Sequence, residues 1–473
     1  MFNVKNLKKN YLLIIFLLPL ILFIFSCQQT DNEKNITFFG GKIKNPKSPY
    51  VYLFEGKKIM DSARLDHSNR FSFHLDSIDT GLYTFKHGSE YQYLYLEPTD
   101  SLLIYLNTWD FDESLIFSGK GSAKNNYLIN LYLEQEKIEK KFKYKYDLNE
   151  KEFSKLIDSG IQKQLATYND LLIEEGVKPT PFFDKLAKTG IYFPFYLFKE
   201  LYPFNHKRHL HLKEFPLLSK DFYHYRKNLN LNDFDLVYYT PYTSYTRVYL
   251  YNMAYSEKAK NPKNSNVELN FMKIVNDKIK IESLRNEYLA GSLWKSLSND
   301  WISKKDFKDI EDFYYTNCSN EEFNNEIKKA IYQKQKLNKG DTLPNMRAID
   351  NKGKEIHIKN LTKNSSTVIY FWPTDSSKAN LLNTKLHHLK IKYPDILFLG
   401  FERNKENDDW KKFIYAKKLA LNSQFSLSKD CDSYSLFSGD MDRAIIVNKN
   451  GTVKNGFLFF NDKHFEKHLK NLN

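Results

Sequence analysis

The sequence predicts a multi-domain α+β protein, with an N-terminal β-sandwich, a central all-α domain and a C-terminal α/β domain. The chain has 473 residues, room for about three domains at roughly 150 residues each. Its apolar period changes from two, to three and four, to a mixture of continuous buried runs and helical stripes. Hydrophobic residues make up 41% and aromatics 16%, with 17 Gly and 14 Pro. That composition excludes a disordered or collagen-like chain and leaves little material for long flexible linkers.

Between residues 36 and 120, alternating runs recur at Tyr50 to Phe54, Arg70 to Leu75, Leu82 to Phe85, Tyr91 to Leu96 and Leu102 to Leu106. Turn signals divide them at Gly40-Gly41, Asn45-Pro46, His67-Ser68-Asn69 and Pro98-Thr99-Asp100. Period-two aromatic and β-branched runs at this spacing predict a small antiparallel sandwich.

Residues 121–337 follow a helical period. Phe153, Leu156, Ile157, Ile161, Leu165, Tyr168 and Leu172 share one helical face, entered at Asn149 with Glu152 three residues on and stopped by Gly176 and Pro179. Similar stripes run over 267–297 and 305–337, around a less regular Tyr-rich stretch from 182 to 254. Within it, residues 238–255 suit either a groove for peptide or sugar or, as the favoured reading, a Tyr-rich core with hydroxyls reaching the surface.

Residues 338–473 read as two short strands joined by Asn351-Lys352-Gly353, a buried strand over 367–372 and a helix from Ser376 to about Lys392. A second buried strand over 396–400, a helix near Trp410, a hairpin over 444–460 turning at Asn450-Gly451 and a closing helix complete the set.

The first 35 residues carry a targeting signal. Lys5, Lys8 and Lys9 precede fifteen apolar residues, 11–25, which end at Ser26 and Cys27 before the polar Gln28-Gln29-Thr30-Asp31. A membrane span needs roughly 20 residues, so this reads as an export signal over 1–27 followed by a linker over 28–35. Ile24-Phe25-Ser26-Cys27 resembles a bacterial lipobox, although Phe25 is bulkier than is usual there. The resemblance implies lipidation of Cys27 and attachment to the membrane by acyl chains, each buried methylene contributing about 0.8 kcal/mol. Gln28 rather than Asp after the cysteine points to the outer membrane of the cell envelope, on either its periplasmic or its surface face.

Two further resemblances follow from quoted residues. Asp61-Ser62-Ala63, Phe71-Ser72-Phe73, Glu97-Pro98-Thr99-Asp100-Ser101, Phe117-Ser118-Gly119 and Asn125-Asn126-Tyr127-Leu128 resemble a β-domain that often precedes thioredoxin-like domains in envelope lipoproteins of Bacteroidetes-type bacteria. Gly340, Leu343-Pro344, Asp350 to Gly353, Leu361, Phe371-Trp372, Gly400 and Ile446-Val447-Asn448-Lys449-Asn450-Gly451 resemble the TlpA-like thiol-disulfide oxidoreductases over roughly 130 residues. That resemblance implies a thioredoxin fold.

The family's chemistry needs a Cys-x-x-Cys pair at the start of the helix after Phe-Trp, where the helix N-terminus favours the thiolate. Here Ser376-Ser377-Lys378-Ala379 occupy those places, and Asp442 occupies that of the family's cis-proline. A hydroxyl and a methyl form no disulfide. With Cys27 acylated, the remaining thiols are Cys318 and Cys431, free to pair, to stay buried or to react. Asp430 and Asp432 would raise the Cys431 pKa and oppose a reactive thiolate.

Other chemistries find little support. The net charge of +14 is scattered rather than clustered, so no nucleic-acid partner is expected. There is no Gly-x-Ser-x-Gly elbow, and Gly119-Lys120-Gly121-Ser122 lacks the spacing of a phosphate loop. His206, His209 and His211 sit among Lys207 and Arg208, and His464 and His468 form an i, i+4 pair without a metal motif. Neither a metal nor a cofactor is expected. The function expected is a tethered lipoprotein that binds or scaffolds a peptide or protein partner through a redox-inactive thioredoxin-like domain. The alternatives are an oxidoreductase working through Cys431 or Cys318, and an accessory to nutrient uptake.

Overall fold

The computed structural model describes residues 36–173, 176–263, 265–299, 301–344, 346–373, 376–402, 407–416, 419–428, 436, 443–460, 462, 464–470 and 472. The chain begins with β1 (Ile36–Lys44), β2 (Tyr50–Glu55), β3 (Lys58–Arg64), β4 (Arg70–Asp76), β5 (Gly81–His87), β6 (Glu90–Leu96) and β7 (Ser101–Asn107). A one-turn helix α1 (Phe111–Ser114) and β8 (Ile116–Lys120) follow. They form two four-stranded sheets, ordered β4-β1-β7-β8 and β3-β2-β5-β6. Phe39, Phe73 and Leu102 from one sheet meet Val51, Leu53 and Phe85 from the other in a single core, as the alternation predicts.

The sandwich is not wholly antiparallel, as the sequence had suggested: β1 and β7 run parallel, with Phe39 opposite Leu102. Between them the chain passes through β2 and β3 of the second sheet, returns for β4, and crosses again for β5 and β6, so no tight hairpin imposes the antiparallel sense. Nor are Gly40 and Gly41 a turn; both lie inside β1. A Cβ on Gly40 would come within 2.7 Å of the Phe71 carbonyl, and one on Gly41 would collide with that of Ile104. Glycine here serves close backbone approach.

The helices α2 (Ser122–Phe142), α3 (Glu150–Ile173), α4 (Pro181–His209), α5 (Thr240–Lys260), α6 (Val267–Lys278), α7 (Glu282–Leu297), α8 (Lys304–Asn317) and α9 (Glu321–Gln335) share a second core. At the start of α3, Asn149 Oδ1 accepts the Glu152 amide at 3.0 Å, and Phe153, Ile157, Ile161 and Tyr168 are buried along the expected face. The stretch read as irregular contains α4, 29 residues long with Pro194 and Pro203 inside it. Internal prolines cost helical hydrogen bonds, and burial of Phe183, Ile191, Phe195 and Tyr202 holds the helix together across them. Of the α5 tyrosines, Tyr242 and Tyr245 are buried, as the core reading predicts, and Tyr242 Oη accepts the Asp233 amide at 3.1 Å. The Tyr245 hydroxyl, however, turns inward to Glu200 rather than to the surface, and Tyr255 is exposed.

Adjacent asparagines at the start of α2 fasten the two sheets. Asn125 receives the Tyr95 amide on Oδ1 and donates from Nδ2 to the Tyr95 carbonyl, both at 2.8 Å. Asn126 treats Phe117 in the same way, both at 2.9 Å. Tyr95 lies on β6 and Phe117 on β8, the edge strands of different sheets. Each side chain therefore completes a ladder that would otherwise end in unpaired backbone groups.

The last part comprises β9 (Arg347–Ile349), β10 (Glu355–His357), α10 (Ile358–Leu361), β11 (Thr367–Phe371), α11 (Ser376–Lys392), β12 (Leu397–Glu402), α12 (Asn407–Ala416), β13 (Gln424–Leu427), β14 (Arg443–Val447), β15 (Val453–Phe459) and α13 (Phe465–Leu469). One seven-stranded sheet results, ordered β10-β9-β13-β12-β11-β14-β15. β11, α11 and β12 make a parallel βαβ unit, β14 and β15 add antiparallel, and α13 closes. This is a thioredoxin-like arrangement, extended by β13 and the β9–β10 hairpin. The helical core reaches it through Phe457, and Trp294 meets Phe459 edge to face at 6.3 Å. Among the described residues, no helix is long and apolar enough to cross a membrane.

Candidate functional site

In open α/β sheets, ligand sites gather beyond the carboxyl ends of the parallel strands. Here that end is set by register: Tyr370 lies opposite Gly400 and Ala444, and Phe371 opposite Phe401. The carboxyl ends of β11 and β12 and the amino end of β14 therefore meet where α11 begins. All five residues of β11 are buried, as expected for a strand covered on both faces.

Beneath α11 lies a neutral hydrogen-bonded network. Trp372 Nε1 donates to Gln424 Oε1 at 2.8 Å, and Gln424 Nε2 donates to Tyr370 Oη at 3.0 Å. Burial pushes the Tyr370 phenol well above its ordinary range, against the bond from Gln424, so the group stays protonated. Gly400 makes room for this network. A Cβ there would collide with Gln424 Oε1 and come within 2.6 Å of Tyr370 Oη. Gly400→Ala is accordingly expected to destabilise the thioredoxin-like unit by about 1–3 kcal/mol, read as a lower urea midpoint together with altered Trp372 fluorescence. An unchanged midpoint would show that the network has slack.

On the opposite face of the sheet, Arg443 is fully buried at the first position of β14, its guanidinium 5.5 Å from the Phe371 ring and 5.3 Å from that of Phe457. It donates to the Leu436 carbonyl. Glu402, also buried, ends β12. Sequence reasoning passed over Gln424, Glu402 and Arg443. The one signal for Arg443 was a charge opening the apolar run Arg443-Ala444-Ile445-Ile446-Val447.

Of the residues singled out from sequence, Ser376 and Ser377 open α11, while their side chains lie outside the described residues. Lys378 is exposed, and Ala379 is 0% exposed, its methyl in the core layer with Tyr370 and Trp372. Cys27, Cys431 and Asp442 lie outside the described residues. Cys318 does not join this site. It ends α8, 6% exposed, in the core of the helical part beside Tyr314. His206 is buried and bonds the Tyr146 carbonyl through Nδ1 at 2.8 Å, while His209 and His211 are exposed. His464 and His468 flank Trp301 at 5.1 and 6.0 Å, half-buried rather than freely exposed.

No family model matches the chain, and no curated protein does. Among solved structures, it is similar to the thioredoxin domain of a thiol-disulfide oxidoreductase from Bacteroides vulgatus, at 22% identity over 29% of this chain and 99% of that one, with a TM-score of 0.26. A thiol:disulfide interchange protein from a Bacteroides species is similar at 22% identity, over 29% of this chain and 91% of that one, with a TM-score of 0.26. A secreted disulfide oxidoreductase of Mycobacterium tuberculosis is similar at 13% identity, over 27% and 95%, with a TM-score of 0.22.

Proposed function

We propose that this is a lipid-anchored envelope protein, held at the outer membrane through Cys27, whose thioredoxin-like unit binds an extended peptide or protein partner without redox chemistry. Three folded units, over 36–120, 121–337 and 338–473, stand on the tether in this reading. The observation that carries it is the first turn of α11. In the thiol family that turn holds both sulfurs, and here Ser376-Ser377-Lys378-Ala379 stand there with the Ala379 methyl sealed in the core. The described thiol, Cys318, belongs to a different core. What the turn keeps is the positive end of a helix dipole, suited to hold carbonyl or anionic groups of an extended chain.

The test is paired. The full chain in detergent is expected to leave insulin unreduced in dithiothreitol above the uncatalysed rate, and to give no mixed disulfide in thiol trapping. Turnover that disappears on Cys431→Ser would replace this reading with that of an oxidoreductase.

A further inference from the structure

A cleft of about 430 Å³ opens where the start of β6, α2, α4 and the start of α5 come together, far in sequence from α11. Tyr132, Gln135, Glu136 and Glu139 of α2 line one wall, and Asp112 and Glu90 contribute two more carboxylates. Among the described residues no lysine, arginine or histidine lines it, although the chain carries 71 Lys and Arg against 57 Asp and Glu. Pro194 and Leu197 of α4 supply an apolar wall. Helices α2 and α4 come close because residue 190 is glycine: a Cβ there would lie 2.5 Å from Tyr239 Oη and 2.8 Å from Leu131 Cδ2.

The carboxylates are not explained by the fold. Asp112 accepts one bond from Gln92 Nε2 at 3.0 Å, and Glu136 accepts one from Tyr132 Oη at 3.3 Å. Among the described residues neither they nor Glu139 and Glu90 form an ion pair. Burial, joined by repulsion from Glu113, Glu90 and Glu136, pushes the Asp112 carboxyl above its ordinary range. Burial and Glu136 do the same to Glu139.

A second, independent observation lies in the wall itself. Gln135 is 8% exposed, and among the described residues neither Oε1 nor Nε2 of its amide has a hydrogen-bond partner. A buried amide left unpaired is destabilising, because no hydrogen bond offsets its desolvation. Leucine would fill the position more stably, so the amide is a cost that a ligand would repay. Among the described residues no three acidic, His or Cys groups converge to hold a metal ion. Dispersed carboxylates beside tyrosine rings suit an extended organic cation instead.

We propose that this cleft binds an ammonium or guanidinium group on an apolar stem, the head beside the Glu136 carboxylate and bonded by Gln135, with Asp112 and Glu139 adding negative potential along the wall, the stem against Pro194 and Leu197. Such a head belongs either to a free amine or to a basic side chain of a protein, and the experiment separates the two. The full chain in detergent is titrated calorimetrically with agmatine, with a capped peptide holding one central arginine, and with neutral N-butylacetamide. Saturable binding of agmatine, of the peptide or of both, without binding of the neutral compound, is the expected result and names the source.

Glu136→Gln with Glu139→Gln is expected to weaken binding about tenfold or more. Gln135→Leu separates function from structure: it should raise the thermal midpoint of the free chain and lower affinity in the same protein. Absence of binding in both cationic arms, equal binding of the neutral compound, or undiminished affinity in the double variant overturns the proposal. Should the double variant fail to fold, undiminished affinity in Gln135→Leu overturns it as well.

Discussion

Glu200→Ala is expected to lower the unfolding free energy of the helical part by about 3–5 kcal/mol. Glu200 sits on α4 with no exposure at all. Its carboxylate accepts Arg226 Nε at 2.8 Å, a second bond from Arg226 Nη2, Tyr225 Oη at 2.8 Å and Tyr245 Oη at 3.3 Å. Burial, reinforced by that carboxylate, holds the phenols of Tyr225 and Tyr245 far above their ordinary range, so both remain donors. The Arg226 guanidinium lies 3.6 Å from the Tyr223 ring and 4.9 Å from that of Tyr249, mostly shielded from water.

Alanine would strand a desolvated cation and two buried hydroxyls at once. Removal of one partner of a buried pair costs far more than the pair itself contributes, since charge solvation is not recovered. Two companions sharpen the expectation. Glu200→Gln keeps an acceptor for the hydroxyls and should cost less. Glu200→Leu combined with Arg226→Met should recover most of the loss, because the stranded charge is gone. Urea denaturation followed by far-ultraviolet circular dichroism reads all three. A loss under about 1 kcal/mol for Glu200→Ala would mean that water reaches Arg226 freely.

The sequence made the strands and helices legible wherever period and punctuation agreed. Asn149 and Glu152 marked the start of α3, Asn450-Gly451 marked the hairpin of β14 and β15, and α11 runs from Ser376 to Lys392 as its spacing indicated. Features set by contacts between distant segments stayed hidden. Gly40-Gly41 has the local signature of a turn, and only the approach of Phe71 and Ile104 shows why glycine stands within a strand. The parallel pairing of β1 with β7 follows from where the chain re-enters the sheet, which no window of residues records.

The same limit applies to sites. Asn125 and Asn126 stood out as a motif, yet their work, clasping two sheet edges, is visible only with both edges in place. Gln135 did carry a weak signal. It continues the α2 stripe of Leu128 and Leu131 at helical spacing, where a polar residue is unexpected. Nothing in sequence told that the stripe faces a cleft rather than solvent.

Ser376→Cys with Ala379→Cys is expected to give the thioredoxin-like unit thiol-disulfide activity at the start of α11. α11 is a 17-residue helix that begins at Ser376, so a cysteine there would meet the positive end of the helix dipole. Lowering a thiol pKa from its ordinary 8.5 toward 7 raises the thiolate fraction at neutral pH by about tenfold. Position 379 lies one turn on, at the buried layer beneath, where a sulfur replaces a hydrogen of the Ala379 methyl with modest crowding. The variant should lose two alkylatable thiols on oxidation and regain them in dithiothreitol, and should reduce insulin about tenfold faster than the parent chain. Either single substitution should do neither. A variant that keeps both thiols alkylatable after oxidation would show that 376 and 379 do not face each other across the turn, and the placement of the redox seats at the tip of α11 would fall with it.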